Sequence, residues 1–415
     1  MEFGRLDEIR DDLTALYKDL HAHPELSFQE HRTAAEVARR LEALGLEVTT
    51  GVGRTGVVGV LRNGSGPTVL LRADFDGLPV QEQTGLDYAS TQRATSSDGS
   101  EVPVMHACGH DMHVTCLLGA LDLLIGARSR WSGTVVAVFQ PAEEIGTGAQ
   151  AMLDDGFLER FPRPDVCLGQ HVFPFESGFV GMMSGPSMSA ADGLKITMFG
   201  RGGHGSQPQN TVDPVVMASA TVLRLQTVVS REVAGDDTAV LTVGSIRAGT
   251  KENIIPDQAE ILVNIRSFDE RVRERVLAAV RRIVRAEAVA SGAEREPEFE
   301  QLTRFPLLVN DPEAASRTGS ALRAALGDGA VVDLPPAMAS EDVGLFGTAA
   351  GVPTCYWFFG GTDSARFRDA VAADDVARTI PANHSPHFAP EVEPTLTTGV
   401  KALTTAAIEW LGTRG

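Results

Sequence analysis

This chain is short of cysteine and of basic residues and has no long apolar run, and each shortage removes a class of protein. Only four cysteines occur in 415 residues, Cys108, Cys116, Cys167 and Cys355, and they sit in or beside apolar segments without a framework spacing. A disulfide scaffold is therefore not expected, and a reducing compartment, the cytoplasm, is. The first residues, Met1-Glu-Phe-Gly-Arg-Leu-Asp-Glu8, are charged and lack the apolar stretch of a secretion signal. No apolar run reaches the roughly 18 residues of a membrane span, so no membrane partner is expected. Lysine and arginine total 36 against 55 acidic residues, a formal net charge of −19. Such a surface repels phosphate backbones, and nucleic acid is not an expected partner. Histidine is scarce as well, ten in all, with none between His204 and His384.

The histidines that do occur are bunched. Met105-His-Ala-Cys-Gly-His-Asp-Met-His113 holds one thiol and three imidazoles. Thiolate and neutral imidazole are the donors that Zn²⁺-like ions prefer, and the single glycine between Cys108 and His110 lets the backbone bend until both face one ion. One tripeptide does not complete a site. Gln140-Pro-Ala-Glu-Glu144 follows the apolar run 134–139, and Gly169-Gln-His171 follows 166–168. Both read as short buried strands ending in a turn with ligand-type residues, and sites in open α/β sheets form at the carboxyl ends of strands. Asn383-His-Ser-Pro-His387 offers a further imidazole. The rival chemistry, Cys108 as a nucleophile paired with His110, leaves the adjacent acids Glu143 and Glu144 without a task.

A 43% hydrophobic content over 415 residues exceeds what one core usually holds, so two domains are expected. Residues 1–188 alternate, with helices over 6–21 and 33–44, strands over 57–61 and 68–73, a buried helix over 115–125 and a strand over 134–139. This predicts an α/β domain with a mostly parallel central sheet. The stretch 94–101 reads as a polar loop. Residues 189–303 change rhythm: strand 194–200, helix 214–229, strands 238–248 and 259–267, helix 270–290 and strand 297–302. That is the βαββαβ order of a ferredoxin-like insert. Residues 304–415 return to the first domain, with a buried strand over 352–359 and a closing helix over 395–411.

Five motifs then follow in one order: Arg72-Ala-Asp-Phe-Asp-Gly-Leu-Pro79, His106-Ala-Cys-Gly-His-Asp-Met-His113, Gln140-Pro-Ala-Glu-Glu144, Gly202-Gly-His-Gly-Ser-Gln-Pro208 and Asn383-His-Ser-Pro386. Together they resemble the aminoacylase and carboxypeptidase G superfamily of dinuclear metallopeptidases, within it the amidohydrolase branch of hippurate and indoleacetyl amino acid hydrolases. The resemblance spans nearly the whole chain, from His21-Ala-His-Pro-Glu25 to His384.

It implies two divalent ions per subunit, Zn²⁺ or Mn²⁺, held by Cys108, His110, Glu144, His171 and His384, with Glu143 as general base. A divalent ion acidifies water, and a carboxylate beside it can take the proton and pass it to the leaving amine. The resemblance further implies that His204 stabilises the oxyanion and that Asn253 and Arg266 bind the substrate carboxylate, for which a planar guanidinium is suited. It implies an insert that acts as a lid and as the surface of a homodimer. The implied substrate is a small N-acyl amino acid, aryl or alkyl, cleaved at its amide; dipeptidases and carboxypeptidases share the scaffold. One departure stands out: many members carry His-x-Asp where this chain has Arg72-Ala-Asp74, and arginine has no lone pair to offer a metal. Asp74, Asp76 and Asp111 are expected to orient imidazoles or a turn, His21 and His23 to cap or pack, His106 and His387 at most to orient, and His113 to stay outside the ligand set.

Overall fold

The computed structural model describes residues 3–413, so Met1 and Glu2 of the charged N-terminal stretch lie outside it. The chain divides into two compact units: residues up to Ser187 with Val309–Pro335 and everything from Asp342 onward, and a second of Met188–Leu308 with Pro336–Glu341.

The larger unit is built on a nine-stranded, mostly parallel sheet. Its middle is four parallel strands in the spatial order Trp131–Gln140, Thr68–Asp74, Val166–Glu176 and Thr354–Thr362. They are near-continuous apolar runs because helices cover both faces of a parallel sheet, and Val135 through Phe139 are wholly buried. Antiparallel strands Gly56–Asn63 and Glu47–Val52 extend one side, and Val180–Met182 with Val331–Asp333 the other. Helix His110–Gly126 is apolar nearly all round and buried along almost its whole length, with helices Gly4–Ala22 and Thr395–Trp410 packed on it. Among the described residues no helix is long and apolar enough to cross a membrane, and all four cysteines are buried and free.

Strand register aligns the ends that matter. Asp74 pairs with Gln140, so the turns carrying Asp76 and Glu143-Glu144 leave the sheet side by side. His171 follows two residues after Gly169, the partner of Arg72, and so lies level with Asp74.

The smaller unit is a four-stranded antiparallel sheet in the order Ala239–Ala248, Gln258–Ser267, Ala190–Phe199 and Glu298–Phe305, with helices Pro214–Glu232 and Glu270–Ala290 between its strands in sequence. Asp213 and Asp269 cap the two helices through their carboxylates, and Leu194, Ile196, Val263 and Ile265 alternate into the core. Its limits differ from the expected 189–303. Strand Glu298–Phe305 stays paired up to Ala191 opposite Phe305. The distant segment Pro336–Glu341 joins because Ser189 N–H donates to the Ala337 and Ala339 carbonyls. The expected loop over 94–101 is also more ordered: Arg93–Thr95 and Glu101–Pro103 pair as a small ribbon around a turn organised by Asp98.

Candidate metal centre

Helix His110–Gly126 begins five residues earlier than expected, and its first turn carries His110, Asp111 and His113. Gly109 precedes it in the left-handed region, φ +80°, and a Cβ there would lie 2.3 Å from Val172 Cγ1. The glycine between Cys108 and His110 is thus required by both conformation and space. Pro141 and Ala142 turn the chain after strand Trp131–Gln140, with Ala142 also left-handed at φ +49°.

Cys108, His110, His171, Glu143, Glu144 and His384 come together. Cys108 Sγ lies 3.5 Å from His171 Nε2. His110 Nε2 is 3.8 Å from Glu144 Oε1 and 4.0 Å from Glu143 Oε2, and His384 Nε2 is 3.3 Å from Glu144 Oε2. Three overlapping groups, Cys108-His110-His171, Cys108-Glu144-His384 and His110-Glu143-Glu144, each keep their donor atoms within 4.8 Å of one another. Only His384 has a substantially exposed side chain.

The imidazoles are presented with the correct lone pair. His171 Nδ1 donates to the Val172 carbonyl at 2.7 Å and His110 Nδ1 to the Asp76 carbonyl at 2.9 Å, which leaves each Nε2 as an acceptor. His110 Nε2 and Glu144 Oε1 are buried without any hydrogen-bond partner. A buried acceptor in that state costs about 1–3 kcal/mol, and a bound cation would relieve that cost. Electrostatics agree. Burial, with Asp76 and Asp74 adding to it, pushes the Glu144 carboxyl up to about 8 although His110 opposes this. Burial, Glu144 and Glu143 push the Cys108 thiol well up. Against burial, Asp74, Asp76 and Glu144 raise His110 to about 10. The Glu144 carboxylate and the Cys108 thiolate repel one another's negative charge while His110 is driven to hold a positive one, so the pocket favours a cation, and a divalent ion would take the place of the His110 Nε2 proton. A thiol pushed up in this way does not act as a free nucleophile.

His113 is also in the cluster, as one corner of an Asp74-His110-His113 group. Its ring is spoken for: Nδ1 bonds Asp74, and Nε2 accepts the Val172 N–H at 2.8 Å. Arg72 is fully buried, donating to Gln140 Oε1 at 2.9 Å, Asp74 Oδ2 at 2.8 Å and Asp342 Oδ1 at 3.2 Å. Despite burial, Arg72, His110 and His113 hold the Asp74 carboxyl well below its usual range. Arg72 is therefore a fixed cation that orders Asp74 and Gln140 at the end of the strand before Glu143.

The sequence reading missed two supports. His21 is packed, as one of its two expected roles has it, but it also bridges two acids that were not foreseen: it is wholly buried between Asp111 Oδ2 at 2.7 Å and Glu82 Oε1 at 3.0 Å. Only the half-buried neighbour His23 caps, through the Asp19 carbonyl. Asp342 was missed as well, and no local pattern marks it. Burial disfavours a charged His21, but Asp111 and Glu82 outweigh it and raise the imidazole to about 9. Because that value exceeds the unfolded one, the stabilisation is complete below about pH 6.5 and is lost as pH rises through about 9. The melting-temperature advantage of the wild type over His21→Asn is expected to shrink across that window. An advantage that does not change with pH would contradict it. His106 is buried with neither ring nitrogen bonded, and His387 bonds the Gln83 carbonyl.

In the smaller unit, His204 and Asn253 adjoin. Gly203–His204 pairs with Ile254–Ile255, and Gly205 N–H donates to the Asn253 carbonyl at 2.9 Å. Both side chains are exposed, and His204 Nδ1 accepts from Ser206. Arg266 stands elsewhere, half-buried on strand Gln258–Ser267 and donating to the Met338 carbonyl and Ser340 Oγ.

Imidazole, thiol and carboxylate donors gathered at strand ends beside a second acid equip a metal-dependent hydrolase, and the protein is one. Residues 70–407 match the sequence profile of Peptidase family M20/M25/M40, and the chain belongs to that family. It is similar to the hippurate hydrolase of Campylobacter jejuni, 37% identical over 82% of this chain and 86% of that one. It is equally similar to thermostable carboxypeptidase 1 of Saccharolobus solfataricus, 37% identical over 85% and 86%. Among solved structures, the YXEP protein of Bacillus subtilis, a dinuclear metal binding peptidase of the M20 family, superposes with a TM-score of 0.74 at 29% identity, covering 97% of this chain and 98% of that one.

Proposed function

We propose that the protein is an N-acyl amino acid amidohydrolase that releases a carboxylic acid and a free amino acid, with two divalent ions, Zn²⁺ or Mn²⁺, in each subunit. The observation that carries this reading is the pair of buried, unbonded acceptors His110 Nε2 and Glu144 Oε1, with Glu143 Oε2 4.0 Å from the same imidazole. Cys108, His110, Glu144, His171 and His384 would hold the metals. Bound there, the ions would supply Lewis acidity towards the amide carbonyl and towards water.

The protein's own groups do the rest. Glu143 takes a proton from the attacking water and delivers it to the departing amine nitrogen, and its burial keeps competing water away. The carbonyl bonds of His171 and His110 hold each Nε2 lone pair forward through the cycle. His204 is assigned to the oxyanion, and Asn253 and Arg266 to the substrate carboxylate. The smaller unit, residues 189–303 in the sequence reading, is proposed as lid and homodimer surface. A cytoplasmic location suits four free, buried cysteines.

A second reading, a carboxypeptidase or dipeptidase, draws on the similarity to thermostable carboxypeptidase 1. One assay separates them: amino acid release from N-acyl amino acids and from dipeptides, by chelator-stripped protein and by the same protein reloaded with Zn²⁺ or Mn²⁺. Release from the acyl series that disappears on stripping and returns with metal is expected. A preference for dipeptides would favour the peptidase reading, and no metal-dependent release from either series would reject both.

A further inference from the structure

The segment His23-Pro-Glu-Leu-Ser-Phe-Gln-Glu30 takes no part in the chemistry above, yet it touches the turns that do. Glu25 carbonyl accepts the Gly77 N–H at 2.7 Å, and Ser27 Oγ donates to Asp76 Oδ2 at 2.7 Å. Asp76 Oδ2 in turn accepts the Glu144 N–H at 3.1 Å. Glu30 reaches furthest. It stands at the N-cap position of helix His31–Ala43, where a carboxylate would normally bind the helix's own first amides. The Glu25 carboxylate binds the amides of Arg32 and Thr33 instead. Glu30 itself is wholly buried and spends its oxygens elsewhere: Oε2 accepts from Thr55 Oγ1 at 2.6 Å and Oε1 from the Ala142 N–H at 2.9 Å.

Ala142 is the residue where rigidity is needed. It is non-glycine in the left-handed region, immediately before Glu143 and Glu144. Its carbonyl is taken by the amides of Thr147 and Gly148, and a Cβ on Gly148 would collide with the Pro141 oxygen at 1.6 Å. The N–H is the remaining tie, and Glu30 alone accepts it. Phe28 and Arg54, on either side of this contact, are left-handed as well, with the Arg54 guanidinium over the Phe28 ring. Strain gathered around one hydrogen bond indicates that the surrounding fold holds the turn in place rather than the turn's own preference.

The geometry points to Glu30 as a positioning residue for hydrolysis: its carboxylate grips the Ala142 N–H and so sets the direction in which Glu143 and Glu144 leave the strand. This rests on the hydrolase reading of Glu143 and Glu144. The contact needs an acceptor oxygen at full glutamate reach and does not need charge. Glutamine supplies the same oxygen to Ala142 and an amide that can donate to Thr55 Oγ1, whereas aspartate keeps the charge and loses the reach.

The test compares Glu30→Ala, Glu30→Gln and Glu30→Asp by two readouts: deuterium uptake of the peptide covering residues 140–148, and kcat per bound metal on an N-acyl amino acid. Expected are faster uptake and a kcat lower by about 100-fold in the alanine and aspartate variants, at unchanged KM, since misplacing a catalytic group by about 1 Å costs that much. The glutamine variant is expected to stay near wild type in both. If Glu30→Ala does not fold, the Gln and Asp pair decides the question alone. Unchanged uptake in the aspartate variant, or kcat rescued by Asp and not by Gln, overturns the proposal. A wild type that hydrolyses no amide would defeat the hydrolase reading, while the uptake pattern would still decide whether Glu30 holds the turn.

Discussion

Glu143→Gln is expected to fold, to bind its full complement of metal and to lose turnover by about 10³-fold, within the range that a general base contributes. Glutamine has nearly the same shape, so burial and the turn after Gln140 are preserved. What disappears is the capacity to take up a proton. The proposed metal set should survive because Glu144, Cys108, His110, His171 and His384 are untouched. The adjacent acid cannot substitute, since Glu144 Oε2 faces His384 and Oε1 faces His110. The check is kcat on the reconstituted variant beside its metal stoichiometry by elemental analysis. Activity near that of the wild type would remove Glu143 as the base, and loss of metal along with activity would recast it as a ligand.

Removing a proposed ligand should behave differently. Cys108→Ala is expected to lose metal and activity together, with metal affinity down by more than about 100-fold, because even an outer hydrogen-bonding partner of a ligand is typically worth 10–100-fold. Cys108 belongs to two of the three donor groups, one through His110 and His171 and the other through Glu144 and His384. Its loss therefore weakens both. Glu144→Ala should follow it, for the same reason. This pair of results also separates metal from thiol chemistry. A nucleophilic Cys108 would leave metal binding intact when replaced, and wild-type activity would persist after chelation. Its surroundings argue otherwise, since burial and the two glutamates hold the thiol protonated unless a cation stands beside it. Titrating metal into both variants and following binding by calorimetry gives the answer without an activity assay.

Much of the candidate centre's assembly was legible in the chain because its donor residues are local in sequence. Cys108 and His110 share one turn, Glu143 and Glu144 are adjacent, and each follows a strand or precedes a helix whose apolar periodicity is plain. The mostly parallel sheet was legible for the same reason: apolar runs such as 134–139 alternate with helical segments, and buried parallel strands carry no polar face to confuse the pattern. His204 and Asn253 were named separately and lie side by side in a ribbon, whereas Arg266 stands on another strand with its guanidinium engaged by Met338 and Ser340.

What the sequence by itself determined is the donor inventory, the order of elements and the break in rhythm near residue 189, all of which follow from side-chain type and period. Tertiary structure alone decided what holds that inventory in place. Arg72 meets Asp342 across 270 residues, His21 meets Asp111 across 90 and Glu30 meets Ala142 across 112. It likewise drew Pro336–Glu341 into the smaller unit. The reason is physical: a hydrogen bond between buried groups depends on where strand register and helix packing bring two backbones, and a single acid or arginine in the sequence carries no sign of the partner it will find.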